Sequence, residues 1–183
     1  MTLQWASCEV PGLLLSSPLT AADTRGLFTK VISGQLGSQE PLVLDEVFWS
    51  RSDRGVLRGM HVQIPPKAGR KIVFLTSGRV RDFIVDLRVG SPWFGRLWET
   101  QLAEDSGALL IPAGCAHGFE ALTDGVTMVY LQEGTYDSAT DTGVRWDSVG
   151  VIPVVDKPVL SERDQALAPL SEFDSPFIWV DDE

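Results

Sequence analysis

An all-β fold, a sandwich or barrel of short strands, is what this sequence predicts, and three observations predict it. Short apolar runs recur along the whole chain. Its 17 glycines and 11 prolines fall between those runs, where turns belong. Helical periodicity is weak everywhere except around residues 161–167, where Ser161 stands ready to cap a short helix. With 183 residues, of which 44% are hydrophobic, the chain suits one domain with a real core and leaves little room for disorder.

The elements follow in order. Residues 13–15 read as a first strand, entered from the Pro11-Gly12 turn. Asp23-Thr24-Arg25-Gly26 is a turn, and residues 27–32 a strand. Residues 41–49 alternate well enough for a strand with a heavily aromatic end, Phe48-Trp49. Residues 56–62 form a strand followed by a loop at 65–69. Residues 71–76 and 80–87 read as a hairpin about Ser77-Gly78. Gly90-Ser91-Pro92 turns the chain into a strand at 97–102, and another at 108–111 closes on Pro112-Ala113-Gly114. Residues 116–122 and 126–131 read as a second hairpin, about Thr123-Asp124-Gly125. The tail, residues 171–183, carries five acids and no base among Phe173, Phe177, Ile178 and Trp179. It is expected to pack an aromatic face on the barrel and leave its end mobile.

Charge and cysteine content narrow the function. The net charge of −10 argues against nucleic acid as the main partner. No apolar run is long enough to span a bilayer, and the first residues lack the basic start of a signal peptide. Cys8 and Cys115 show no framework spacing, so both read as reduced thiols in a cytoplasmic protein. Between Arg51 and Arg81 stand Arg54, Arg58, Lys67, Arg70, Lys71 and Arg79, with Asp53 as the only acid. Such a local cationic field suits a small anionic ligand such as a phosphate ester; the alternative is a solvated basic face.

Few residues could carry chemistry. The two histidines, His61 and His117, lack any carboxylate at metal-ligand spacing, so no metal site is expected. Cys115 lies two residues from His117, which does not by itself make a thiolate, and it reads as packing. Acid/base chemistry fits better, from His61, Lys71, Asp82, His117 and Tyr130 facing one interior. Strand parity supports the set: Val80, Asp82 and Ile84 share one face, as do Val126, Met128 and Tyr130. Arg58 and His61 have opposite parity and meet in one pocket only if Gly59 permits a bulge or bend. Taken singly, His61 and Tyr130 read as core residues and Lys71 as a surface lysine. Together they are a base, an acid and a cation, the set that moves a proton beside a carbonyl.

Several motifs in this order resemble one family. They are Val56-Leu57-Arg58-Gly59-Met60-His61, Gly69-Arg70-Lys71-Ile72-Val73, and the run from Asp82 to Arg88 with Gly90-Ser91-Pro92. Ile111-Pro112-Ala113-Gly114-Cys115-Ala116-His117-Gly118-Phe119, Gly143-Val144-Arg145-Trp146-Asp147 and Leu160-Ser161-Glu162-Arg163-Asp164 follow. Over roughly residues 25–170 the chain resembles the dTDP-4-dehydrorhamnose 3,5-epimerases. The resemblance implies an all-β, cupin-like double-stranded β-helix (jelly roll) with short peripheral helices. It implies a single domain over residues 1–183, the acidic tail included. It implies a homodimer that exchanges N-terminal strands, and neither metal nor cofactor. Its activity would be inversion of C3, C5 or both in a 4-keto sugar nucleotide, through an enolate, in deoxysugar or surface-polysaccharide biosynthesis. His61 would be the base and Asp164 its dyad partner, Lys71 the cation at the enolate oxygen, and Tyr130 the acid on the opposite face. Asp82 and His117 would be the supporting polar shell. Arg25, Arg58, Asp141 and Arg163 match positions around the sugar nucleotide, and Phe28 and Gln63 join that binding set.

Three members of the binding set depart from the family pattern. Lys30 stands where the family typically has Glu, Glu46 where it has Gln, and Phe48 where it has Asn. These changes reverse part of the hydrogen-bond pattern offered to a ligand and are expected to shift ligand preference. A related 4-keto sugar isomerase and a catalytically silent sugar-nucleotide-binding jelly roll are the alternative readings.

Overall fold

The computed structural model describes residues 3–33, 36 and 40–181. Its strands are β1 (Gln4–Ser7), β2 (Leu14–Ser17), β3 (Leu19–Asp23), β4 (Gly26–Lys30), β5 (Glu46–Ser52), β6 (Leu57–Gln63) and β7 (Lys71–Ser77). They continue as β8 (Arg79–Asp86), β9 (Leu97–Ala103), β10 (Ala108–Ile111), β11 (Cys115–Ala121), β12 (Val126–Gln132) and β13 (Asp141–Gly143). One sheet runs β1-β2-β10-β7-β12-β5 and a second runs β13-β6-β11-β8-β9. Their strand pairs are antiparallel. From β5 to β8 consecutive strands alternate between the sheets, which is the winding of a jelly roll.

That winding corrects both expected hairpins. β7 and β8 meet at Gly78 (φ +83°) yet lie in different sheets, and so do β11 and β12. A turn sequence reverses the chain, but the faces to be buried choose the partner strand. Val73, Leu75, Val126 and Met128 of one sheet pack against Val80, Ile84, Phe119 and Ala121 of the other, which a flat hairpin would not allow. The strand expected at 41–49 begins only at Glu46, and β1, β3 and β13 were not foreseen.

Each sheet also has a covered outer face. Leu57, Met60, Phe83 and Val85 lie under Val144, Val149, Val151 and Phe177 of the C-terminal segment. Leu14, Ile72 and Leu110 pack with Leu36, Val31 and Leu42. The tail's aromatic face packs as expected, with Phe177 buried and Trp179 stacked on the Arg88 guanidinium at 4.5 Å. Asp182 and Glu183, the end of that tail, lie outside the described residues. The β3–β4 pair forms a separate two-stranded ribbon, with Leu27 and Phe28 each 61% exposed. Among the described residues no helix is long and apolar enough to cross a membrane.

Candidate active site

Gly59 makes the site. Its φ of +112° and the register shift between His117 and Phe119 form a bulge in β6. A side chain there would meet Gly118 Cα at 2.5 Å, so the position requires glycine. The bulge inverts parity along β6. Leu57 and Met60 face outward into the second core, while Arg58 and His61 both line one cavity.

That cavity holds about 250 Å³ between the two sheets. Its walls include Phe48, Arg58, His61, Gln63, Lys71, His117, Tyr130, Asp141 and Arg163, all expected from the sequence. Two expected residues stand just behind the wall. Asp164, 3% exposed, is delivered by helix α1 (Glu162–Gln165), whose N-cap is Ser161 as expected. Asp82 is fully buried beneath His117.

The histidines sit opposite each other on β6 and β11, and each is anchored by a carboxylate. His61 Nε2 lies 2.7 Å from Asp164 Oδ1, and His117 Nε2 lies 2.9 Å from Asp82 Oδ2. A proton on Nε2 facing each carboxylate leaves Nδ1 with the free lone pair. Burial pushes the Asp164 carboxyl up, but the His61 contact and the bond from Gly59 N–H outweigh it and hold it below its usual range. Asp164 is therefore an anion able to stabilise an imidazolium. Among the described residues the buried Asp82 Oδ1 has no hydrogen-bond partner.

Lys71 opens β7 and reaches the His61 carbonyl at 3.5 Å. Desolvation lowers its pKa to about 8, against the upward pull of Asp141, Cys115 and Asp82. Tyr130 comes from β12, in the sheet opposite His61. Burial raises its pKa to about 12, while a contact with Ser50 Oγ at 3.5 Å pulls it down. It thus keeps its proton throughout the neutral range. The set can abstract a proton from one side, neutralise an oxyanion and return a proton from the other side.

Other expectations land elsewhere. Within one chain Arg25, Phe28 and Lys30 are not brought to the cavity. They belong to the β3–β4 ribbon, which pairs with no other named strand, and Arg25 binds Asp23 at its turn. Glu46 lines a neighbouring open recess with Asp45, Val47, Phe48 and Tyr136. Nor does the basic run form one patch, because strand alternation and sheet switching scatter it. Only Arg58 and Lys71 of that run reach the cavity. Arg70 is held by Glu133 and Arg81 by Glu99, while Arg163 joins the cavity paired to Asp141 at 2.6 Å. Cys115 is buried with its thiol pushed up to about 12 by burial, in keeping with packing. Sequence reasoning missed Ser50, Gln132 and Tyr136 as cavity residues. Parity could have found Ser50 and Gln132, which share the inward rows of Phe48 and Tyr130; nothing local marks Tyr136. Among the described residues no group of three His, Cys, Asp or Glu side chains could hold a metal ion.

Comparison with known proteins follows the same lines. The family model described as dTDP-4-dehydrorhamnose 3,5-epimerase matches residues 7–172. A dTDP-4-dehydrorhamnose 3,5-epimerase of Shigella flexneri is 37% identical over 164 residues, 85% of this chain and 90% of that one. A dTDP-4-dehydrorhamnose 3-epimerase of Streptomyces niveus is 36% identical over 170 residues, 89% of this chain and 82% of that one. The solved structure of NovW, a 4-keto-6-deoxy sugar epimerase of Streptomyces spheroides, superposes with a TM-score of 0.88 at 36% identity, over 94% of this chain and 89% of that one. The family match spans the strands β5, β6, β7, β11, β12 and β13 and the helix α1, which together build the cavity. The chain belongs to the dTDP-4-dehydrorhamnose 3,5-epimerase family.

Proposed function

We propose that the protein is a cofactor-independent isomerase that inverts C3, C5 or both of a nucleotide-linked 4-keto-6-deoxy sugar. It would serve deoxysugar or surface-polysaccharide biosynthesis in the cytoplasm, with residues 1–183 acting as one domain. One observation carries this reading: the His61–Asp164 dyad and the Tyr130 hydroxyl come from facing sheets onto one cavity that also holds Lys71.

His61 Nδ1 takes the proton from a carbon beside the ketone. The C–H pair moves into the enolate, whose oxygen the Lys71 ammonium stabilises in a partly dry pocket. Asp164 fixes the imidazole and stabilises the imidazolium, at 2.7 Å. The enolate then collapses to the ketone and takes the Tyr130 proton on its opposite face. Solvent recharges Tyr130 and receives the proton from His61. Asp82 holds the His117 ring, and Arg58, Gln63, Asp141 and Arg163 line the sugar's surroundings.

A cavity of about 250 Å³ is small for a whole ligand. It fits the reacting sugar, with the nucleotide lying outward past Phe48 and Tyr136. The names of the relatives favour dTDP as that nucleotide. Of the three departures from the family pattern only Phe48 lines the cavity within a single chain. The exposed Leu27 and Phe28 on a ribbon that pairs with no other named strand support a homodimer in which the ribbon crosses over and brings Arg25, Phe28 and Lys30 to the partner's cavity.

Solvent deuterium wash-in, followed by NMR on a dTDP-linked 4-keto-6-deoxyhexose, tests the reading. The His61→Ala variant should exchange nothing, and Tyr130→Phe should exchange while failing to invert. Equal exchange in wild type and His61→Ala would remove the base assignment.

A further inference from the structure

Phe48 is the one changed position that lines the cavity within a single chain, and its ring touches the acid rather than standing free. Phe48 and Tyr130 face each other directly across the β5–β12 pair. Their rings are stacked, with centroids 4.7 Å apart and planes inclined by 11°. The Tyr130 ring also meets the edge of His117 at 6.2 Å, and its hydroxyl meets Ser50. The ring is therefore held by Phe48 on its face, by His117 in an edge contact and by Ser50 at its tip. Phe48 and Tyr136 line both the catalytic cavity and the open recess of Asp45, Glu46 and Val47, so both residues stand where the two spaces meet.

We propose that Phe48 is a positioning residue for Tyr130, fixing the acid's hydroxyl over the enolate. This rests on the enolate reading above and adds a determinant of its outcome. Once the enolate exists, two fates compete. His61 can return a proton to the face it came from, which leaves the configuration unchanged. Tyr130 can deliver one to the other face, which inverts the carbon. The first fate depends on the dyad of β6 and α1. The second depends on where the Tyr130 hydroxyl stands, and so on the stack. An asparagine at position 48 would offer a hydrogen bond without a ring face, and the tyrosine would lose its clamp.

The experiment follows both fates in D₂O, with a dTDP-linked 4-keto-6-deoxyhexose as probe. NMR separates deuterated substrate of retained configuration from deuterated, inverted product, and KM is measured alongside. Phe48→Leu removes the ring and keeps an apolar residue on an exposed edge strand. It should raise the ratio of retained to inverted product by roughly two- to tenfold, the worth of one aromatic pair. Phe48→Tyr keeps the stack and should restore the wild-type ratio. An unchanged ratio in Phe48→Leu, with a raised KM alone, would make Phe48 a ligand contact and overturn the proposal. Absence of exchange in the wild type would instead overturn the enolate reading, and the positioning role with it.

Discussion

Replacing Lys71 by methionine should make the protein more stable and a much slower catalyst. Among the described residues the ammonium, in the cavity, makes one long hydrogen bond, to the His61 carbonyl at 3.5 Å. Burial lowers its pKa from 10.5 to about 8. Below pH 8 the folded state therefore holds a charge it disfavours, by about 3 kcal/mol relative to the unfolded chain. Because the cavity opens to water and the contact to the carbonyl is lost, the net gain for Lys71→Met at pH 7 is about 1–3 kcal/mol. The sign has a pH signature. Between about pH 8 and 10.5 the unfolded chain keeps the Lys71 proton and the folded protein does not, so wild-type stability rises with pH there. Below that window the burden is fully present, and above it none remains. Urea unfolding followed by tryptophan fluorescence at several pH values reads the difference. The advantage of Lys71→Met should be largest at pH 7 and shrink across that window. Turnover should fall by about 10²–10³, as when one oxyanion donor is removed. A variant less stable than wild type at pH 7, or an advantage that grows with pH, would refute the reasoning.

The same lysine should set the alkaline limb of kcat. Activity should decline as pH rises through about 8, because the ammonium proposed to stabilise the enolate is lost there, while Tyr130, pushed up to about 12, stays protonated. In Lys71→Arg the overall rate should drop but that limb should vanish, since the guanidinium does not deprotonate; a limb that stays in place assigns it to another group. Exhaustive chelation should leave turnover intact, and loss on EDTA treatment restored by one divalent metal would contradict the metal-free reading. The wild type should scatter light as a dimer at micromolar concentration, and Phe28→Asp, at a 61%-exposed ribbon position, should shift it toward monomer. A monomeric wild type would count against ribbon exchange.

Much of this protein is legible in its sequence because alternation and turn residues are local. Period-two patterns put Val80, Asp82 and Ile84 on one face and Val126, Met128 and Tyr130 on another, and both rows lie inside. Ser161 caps α1 because its hydroxyl accepts the Asp164 N–H three residues on, a contact within reach of the chain itself. The order of the motifs carried the family. What the sequence could not decide is which surfaces meet. Turn residues at Ser77-Gly78 and Thr123-Asp124-Gly125 reverse the chain without naming a partner, and burial of both sheet faces sent the two strands of each expected hairpin into different sheets. The basic run from Arg51 to Arg81 was one cluster on paper and several separate surfaces in space, because consecutive strands change sheet. The dyad joins residues 103 positions apart, a closure that only packing of α1 onto β6 provides. Gly59 stands between the two kinds of knowledge. The sequence required a bulge there for Arg58 and His61 to meet, but only tertiary structure shows Gly118 pressed so close that no side chain could take its place.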